Sequence, residues 1–189
     1  MPKYAIIRKL FNVSETFSQV VELLKLEAAA IERTAGILRR EPVERAIELL
    51  LNCDSKIVVV GVGKSGIIAN KIADTMTSTG TVAVFLHPTD ALHGGLGVIT
   101  GGDCVIALSN SGETDEILAL LPALKSRPVS LIAIVGNVNS TLARNSDVVL
   151  DASVDKEACP LNLAPTTSTT VALAIGDALA MTLMQAKDL

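Results

Sequence analysis

"KIVVVGVGKSG", residues 56–66, sets a run of β-favouring residues directly against a glycine-rich turn. A strand from Ile57 to Val60 has no polar alternation, so both its faces are apolar, as in a helix-covered parallel sheet. The glycines at 61, 63 and 66 then let the chain turn sharply into a helix. Working downstream, "VAVFL", "CVIAL", "SLIAIV" and "DVVL" are further short apolar runs, each followed by turn residues and most by a helical stretch. This alternation predicts an α/β fold, a doubly wound parallel sheet of five strands flanked by helices. Upstream, Glu15 to Ala35 carries Phe17, Val20, Val21, Leu24, Ala28 and Ile31 at helical spacing, with Ser14 as N-cap. A second helix is predicted from Pro42 to Leu51, the proline in its first turn. The last begins near Thr166 and runs through "TSTTVALAIGDALAMTLMQA", so apolar that one face packs on the sheet and another meets a second subunit. No internal repeat or linker interrupts the chain. Residues 1–189 read as one domain, with N-terminal helices over 1–52 and the α/β core over 53–189.

A length of 189 residues suits one well-cored domain. Of the residues 49% are hydrophobic, yet there is no Trp, one Tyr and three Phe, so Val, Ile, Leu and Ala must build the core. The net charge of -4 is spread out, which argues against nucleic-acid and anionic-membrane partners. Cys53, Cys104 and Cys159 are far apart and lack Cys or His neighbours at metal spacing, so they read as free thiols of a reducing compartment. The N-terminal "MPKYAIIRKLFNVSETF" lacks a leader's apolar core and cleavage site, and no run reaches about 18 apolar residues. A soluble cytoplasmic protein is expected. The mean hydropathy of +0.48 further suggests apolar surface covered by partner subunits.

"GVGKSG" invites three phosphate readings. Gly61, Gly63 and Gly66 fit G-x-G-x-x-G, but a dinucleotide fingerprint needs an acid at the end of the next strand. That strand ends "VFLHP", with Asp90 beyond the proline. A P-loop would need glycine at Val58, inside the strand. There remain a bare strand-to-helix turn and a monophosphate site. "SNSGET", residues 109–114, supplies a second loop after the third strand, with three hydroxyls in six residues on a glycine turn ahead of a helix. By itself it is either a capped turn or an anion cradle. Two such loops after adjacent strands converge where open α/β sheets bind ligands, and uncharged donors suit a monophosphate.

Together with "STGT", "FLHPTDALHGGLGVI", "STLARNSDVVL" and "KEACPLNLAPTTSTTVALAIGDALA", these segments resemble the sugar isomerase (SIS) domain, and within it the arabinose-5-phosphate isomerase group. The likeness runs from about residue 50 to 185. It implies a doubly wound, flavodoxin-like sheet and a homotetramer, or a dimer, with active sites between subunits. It places a sugar phosphate on Ser65, Ser109, Asn110, Ser111 and Thr114, closed by Thr166 and Thr167. It assigns Lys64, Glu116 and Glu157 to the chemistry and His93 to the sugar-facing wall. Two features depart from the group: Gly95 stands in "HGG" where the group has an acid, and the sequence stops at Leu189, whereas longer members of the group continue into a "SHPGG"-type segment with a catalytic His and a pair of CBS modules. The chain therefore reads as a short form, or as one cut before them.

The activity so implied, moving a proton between C1 and C2 of a phosphosugar through an enediolate, needs a base, a proton shuttle and a charge stabiliser. It calls for no metal and no redox cofactor. Glu157, in the irregular "DKEACP", is the expected base, its pKa tuned by burial. Glu116 falls about one turn into the helix after "SNSGET", on the face of Glu113, where the helix dipole alone also favours acids. Glu113 reads as a cap. Lys64 offsets enediolate charge or meets the phosphate; otherwise it is a surface cation. Of His87 and His93, the second is the candidate for ring opening. The expected reaction is D-ribulose 5-phosphate to D-arabinose 5-phosphate; a hexulose-phosphate isomerase and a non-catalytic sugar-phosphate sensor are the alternatives.

Overall fold

The computed structural model describes residues 13–187, with side chains from Thr16 onward. The N-terminal stretch read for a leader and the capping hydroxyl of Ser14 lie outside the described residues. Five strands form one parallel sheet in the order β2-β1-β3-β4-β5: β1 (Ile57–Gly61), β2 (Ala83–Leu86), β3 (Cys104–Ser109), β4 (Ser130–Val135) and β5 (Val148–Asp151). Each predicted apolar run is a strand. Connections turn one way from β1 to β2 and the other way from β3 onward, so the order reverses between β1 and β3. There the carboxyl ends of neighbouring strands diverge and leave a crevice. Gly61 pairs with Leu108 at that edge, which sets "GVGKSG" beside "SNSGET".

Side chains alternate between two cores. Ile57, Val59, Ile106, Ile132 and Leu150 point to a layer formed by α1 (Val13–Ile37), α2 (Arg40–Leu51), α3 (Gly63–Ser78) and α8 (Thr167–Ala186). Val58, Val60, Val105, Ala133 and Val135 point to four short helices: α4 (Pro88–Leu92), α5 (Asp115–Leu118), α6 (Leu121–Lys125) and α7 (Thr141–Arg144). Both faces of the central strands are dry, which is why their sequences do not alternate. At the opposite end of the sheet from the crevice, Lys56 Nζ meets the buried Asp103 carboxylate at 2.9 Å and ties β1 to β3. Burial pushes the Asp103 carboxyl up, but bonds from Thr100 and Lys56 outweigh it and hold the group below its ordinary range.

α8 is long and apolar enough to cross a bilayer by length and composition. It is nonetheless a core helix, burying Val171, Ile175, Leu179 and Leu183. Its Gly176 lies so close to α3 that an added Cβ would fall 2.3 Å from Ile72 Cδ1. Cys53, Cys104 and Cys159 are free thiols. Burial pushes Cys104 up to about 12, with help from Cys53, Asp147 and Asp103.

Candidate active site

The crevice starts from three glycines that let α3 begin on the end of β1. A Cβ on Gly61 would lie 2.7 Å from the Ser65 carbonyl oxygen, and one on Gly66 2.8 Å from the Gly61 oxygen, while Gly63 has φ +59°. Val62, at the N-cap, offers no side-chain bond. The leading N–H groups of this 16-residue helix are therefore left for solvent or an anion. Lys64 is exposed and Ser65 half-buried on its first turn.

Across from it, "SNSGET" is braced by its own side chains. Gly112 N donates to Ser109 Oγ at 2.9 Å, Ser109 Oγ and Thr114 Oγ1 share a hydrogen at 2.8 Å, and Glu113 N donates to Ser111 Oγ at 3.1 Å. Gly112 has φ +65°, and a Cβ there would lie 1.9 Å from Ser140 Oγ. The turn is also docked onto the start of α7: Leu142 N donates to Gly112 O at 3.0 Å and Thr141 N to Glu113 Oε1 at 2.6 Å. Bonds from the Thr141 backbone and hydroxyl hold the Glu113 carboxyl below its ordinary value. So Glu113 does cap a helix, but α7 and not the helix behind its own loop. That following helix, α5, has four residues only. Pro122 removes a donor, the ladder tightens with Leu120 N bonding Ile117 O, and the helical stretch breaks into α5 and α6. The dipole facing the crevice accordingly comes from α3 and α8 and little from α5.

The third wall is the segment before α8. Glu157 Oε2 accepts from Thr166 N at 2.8 Å, Thr166 Oγ1 at 3.1 Å and Ser168 N at 3.1 Å, and Oε1 accepts from Ser168 Oγ. A carboxylate thus closes the first turn of α8, where the dipole favours negative charge. Burial raises the Glu157 pKa, but the four bonds from Ser168 and Thr166 prevail and hold the carboxyl below its usual range. The segment folds on itself as well: Glu157 N donates to Asn162 Oδ1 at 2.7 Å, Ala158 N to Thr166 Oγ1 at 2.8 Å, and Asn162 takes φ +53°. One crevice is lined by Ser65, Ser109, Asn110, Ser168 and Thr169 together with the apolar Leu108, Ile134, Ala152 and Ala172.

The SIS domain family matches residues 50–182. The chain belongs to the SIS domain family. The arabinose 5-phosphate isomerase KdsD of Francisella tularensis is 48% identical over 180 residues, 94% of this chain and 55% of that protein. The enzyme of the same name from Pseudomonas aeruginosa is 56% identical over 143 residues, 76% of this chain and 44% of that one. The chain spans about half the length of these curated relatives. A solved structure from Escherichia coli CFT073, in complex with A5P, superposes with a TM-score of 0.90 at 41% identity and covers 94% of each chain.

Within this SIS domain seven of the predicted residues fall into three groups. Ser65, Ser109 and Asn110 line the crevice itself; Ser111 and Thr114 brace its turn; and Glu157 with Thr166 reaches it through Ser168. Lys64 adjoins Ser65. Glu116 is half-buried at the second residue of α5, earlier in its helix than its spacing from "SNSGET" suggests, and Glu113 precedes the helix altogether. α4 packs against α5, which brings the histidine-bearing segment toward Glu116. His87 is half-buried, caps α4 by accepting from Thr89 N at 3.3 Å, and stands edge-on to Phe85 at 6.3 Å. His93, at the other end of α4, is exposed. At Gly95, where the group has an acid, an added Cβ would lie 2.7 Å from the Asp90 oxygen, so the turn would have to shift to admit a side chain. Thr167 turns away: it is fully buried on the α1 side of α8, beside Leu26, Ala30 and Arg33, with its hydroxyl unbonded. The crevice takes Ser168 and Thr169 in its stead.

Proposed function

We propose that this SIS domain is an aldose-ketose isomerase of phosphosugars, interconverting D-ribulose 5-phosphate and D-arabinose 5-phosphate through an enediolate. The observation that carries the reading is the single crevice into which the uncapped start of α3, the braced "SNSGET" turn and the Glu157-bound start of α8 all open. The uncapped start of α3 and the uncharged donors of the two loops suit one phosphate dianion. Ser65, Ser109 and Asn110 receive it, while Ser111 and Thr114 keep the turn in shape. The correspondence with the A5P complex along 94% of both chains supports the same choice.

With the phosphate so anchored, Glu157 is the base. Held ionised, its carboxylate takes the proton from the carbon beside the carbonyl; that C–H electron pair becomes the enediolate, and the proton returns to the adjacent carbon. Lys64, the nearest cation in sequence to the crevice, offsets the enediolate charge. Glu116 shuttles protons between the two oxygens, and the exposed His93 serves ring opening at the rim. The apolar face of α1, with Phe17 73% and Leu24 64% exposed, supports a homotetramer, with sites completed at subunit contacts. Three free thiols accord with the cytoplasm. Incubation with ribulose 5-phosphate, followed by carbon NMR, is expected to yield arabinose 5-phosphate. Glu157→Gln is expected to lower kcat by at least about 100-fold. Undiminished turnover by that variant removes Glu157 as base, and binding of the sugar without turnover by the unaltered protein makes it a sensor.

A further inference from the structure

Glu157 is fully engaged before any substrate arrives. Its Oε2 accepts three bonds, and its Oε1 holds the Ser168 hydroxyl. Two of those donors, Thr166 N and Ser168 N, belong to the backbone at the start of α8 and cannot leave without unwinding it. The Ser168 hydroxyl differs: it turns about a single bond, and Ser168 also lines the crevice with Ser65, Ser109 and Asn110. We propose that Ser168 is a positioning residue whose hydroxyl is exchanged, bonded to Glu157 Oε1 in the free protein and passed to an oxygen of the bound sugar phosphate. The exchange bares the one carboxylate oxygen that a backbone group does not hold, at the moment a C–H bond stands beside it. Until then the bond keeps Glu157 ionised and aimed along α8.

This inference rests on Glu157 being the base. Glu22, Lys25 and Glu32 of α1, Glu41 of α2 and Lys64 of α3 are exposed, and the other described charged groups on elements packed around α8 are bonded elsewhere. From α1, Glu27 accepts from Thr170 and Arg33 pairs with Asp155; on α2, Arg40 pairs with Glu44 and Arg45 with Glu48; Lys71 of α3 pairs with Asp177. Lys156 adjoins Glu157 in sequence. None is replaced when Ser168 is changed.

The test is a pair of pH profiles for Ser168→Ala and Ser168→Thr, measured with ribulose 5-phosphate beside Glu157→Gln. The profile of kcat/KM reports the free enzyme, and that of kcat the substrate complex. Loss of the hydroxyl removes a bond that lowers the Glu157 pKa, and the base works only when ionised. For Ser168→Ala the acid limb of kcat/KM is therefore expected to move to higher pH. The acid limb of kcat stays in place, because in the complex the hydroxyl has already left Glu157. KM rises about tenfold for the lost bond to substrate, and Ser168→Thr restores both. Acid limbs that move together, or that both stay put, overturn the exchange while leaving Glu157 as base, provided Glu157→Gln is inactive yet retains the circular dichroism of the unaltered protein. A fully active Glu157→Gln overturns the base assignment and the exchange with it.

Discussion

Gly112 carries the tightest steric demand in the "SNSGET" turn. Its φ of +65° costs any other L-residue about 1–2 kcal/mol, and a methyl would fall 1.9 Å from Ser140 Oγ, deep inside contact distance. Gly112→Ala is therefore expected to lower Tm by roughly 10 °C and to raise the KM for ribulose 5-phosphate. Gly36→Ala, in α1 with nothing within 4 Å of the added carbon, leaves Tm unchanged or slightly higher. Equal effects of the two in calorimetry would contradict the docking of the turn on α7. At this scale the sequence told much, though not all. Two glycine turns after neighbouring strands pointed to the two loops, and the resemblance to the SIS domain singled out Ser65, Ser109 and Asn110 on them, which line the crevice. Ser168 and Thr169 could not be separated from Thr166 and Thr167, because "TTST" offers a hydroxyl at every position. One residue turns a helix by about 100°, and only packing against α1 and α3 sets which hydroxyl faces the crevice and which is buried.

Among the elements, strands were the legible part: a sheet dry on both faces forces unbroken Val, Ile, Leu and Ala runs, and those runs are bounded by Gly, Asn and Asp. α8 was legible too, its start marked by Pro165 and a row of hydroxyls. The stretch after "SNSGET" was less so. The sequence suggested one helix behind this turn, whereas Pro122 and the tightened turn at Leu120 divide it. The partner of Glu113 lies 28 residues away, on α7. That bond is tertiary, with no trace in local spacing. The bonds on Glu157 span nine and eleven residues across an irregular segment, and so were equally hidden from a reading by periodicity. Burial was the effect expected to tune this acid; hydrogen bonding at the start of α8 outweighs it.

For the whole molecule, the clearest open surface is the stripe Phe17, Val20, Leu24 and Ile31 along α1, the positions whose periodicity announced the helix. Apolar residues at that spacing ordinarily point inward; here they face outward, and the proposed assembly would cover them. Leu24→Glu is expected to shift the mass in sedimentation equilibrium from four chains toward one or two, at unchanged circular dichroism. A single-chain mass for the unaltered protein would contradict assembly through α1. For the crevice, the most direct measurement is a crystal structure with arabinose 5-phosphate bound. The account predicts the phosphate within hydrogen-bond distance of Ser65 and Ser109, with the sugar extending toward Glu157. A phosphate lodged elsewhere, for instance between α1 and residues 153–156, would contradict it.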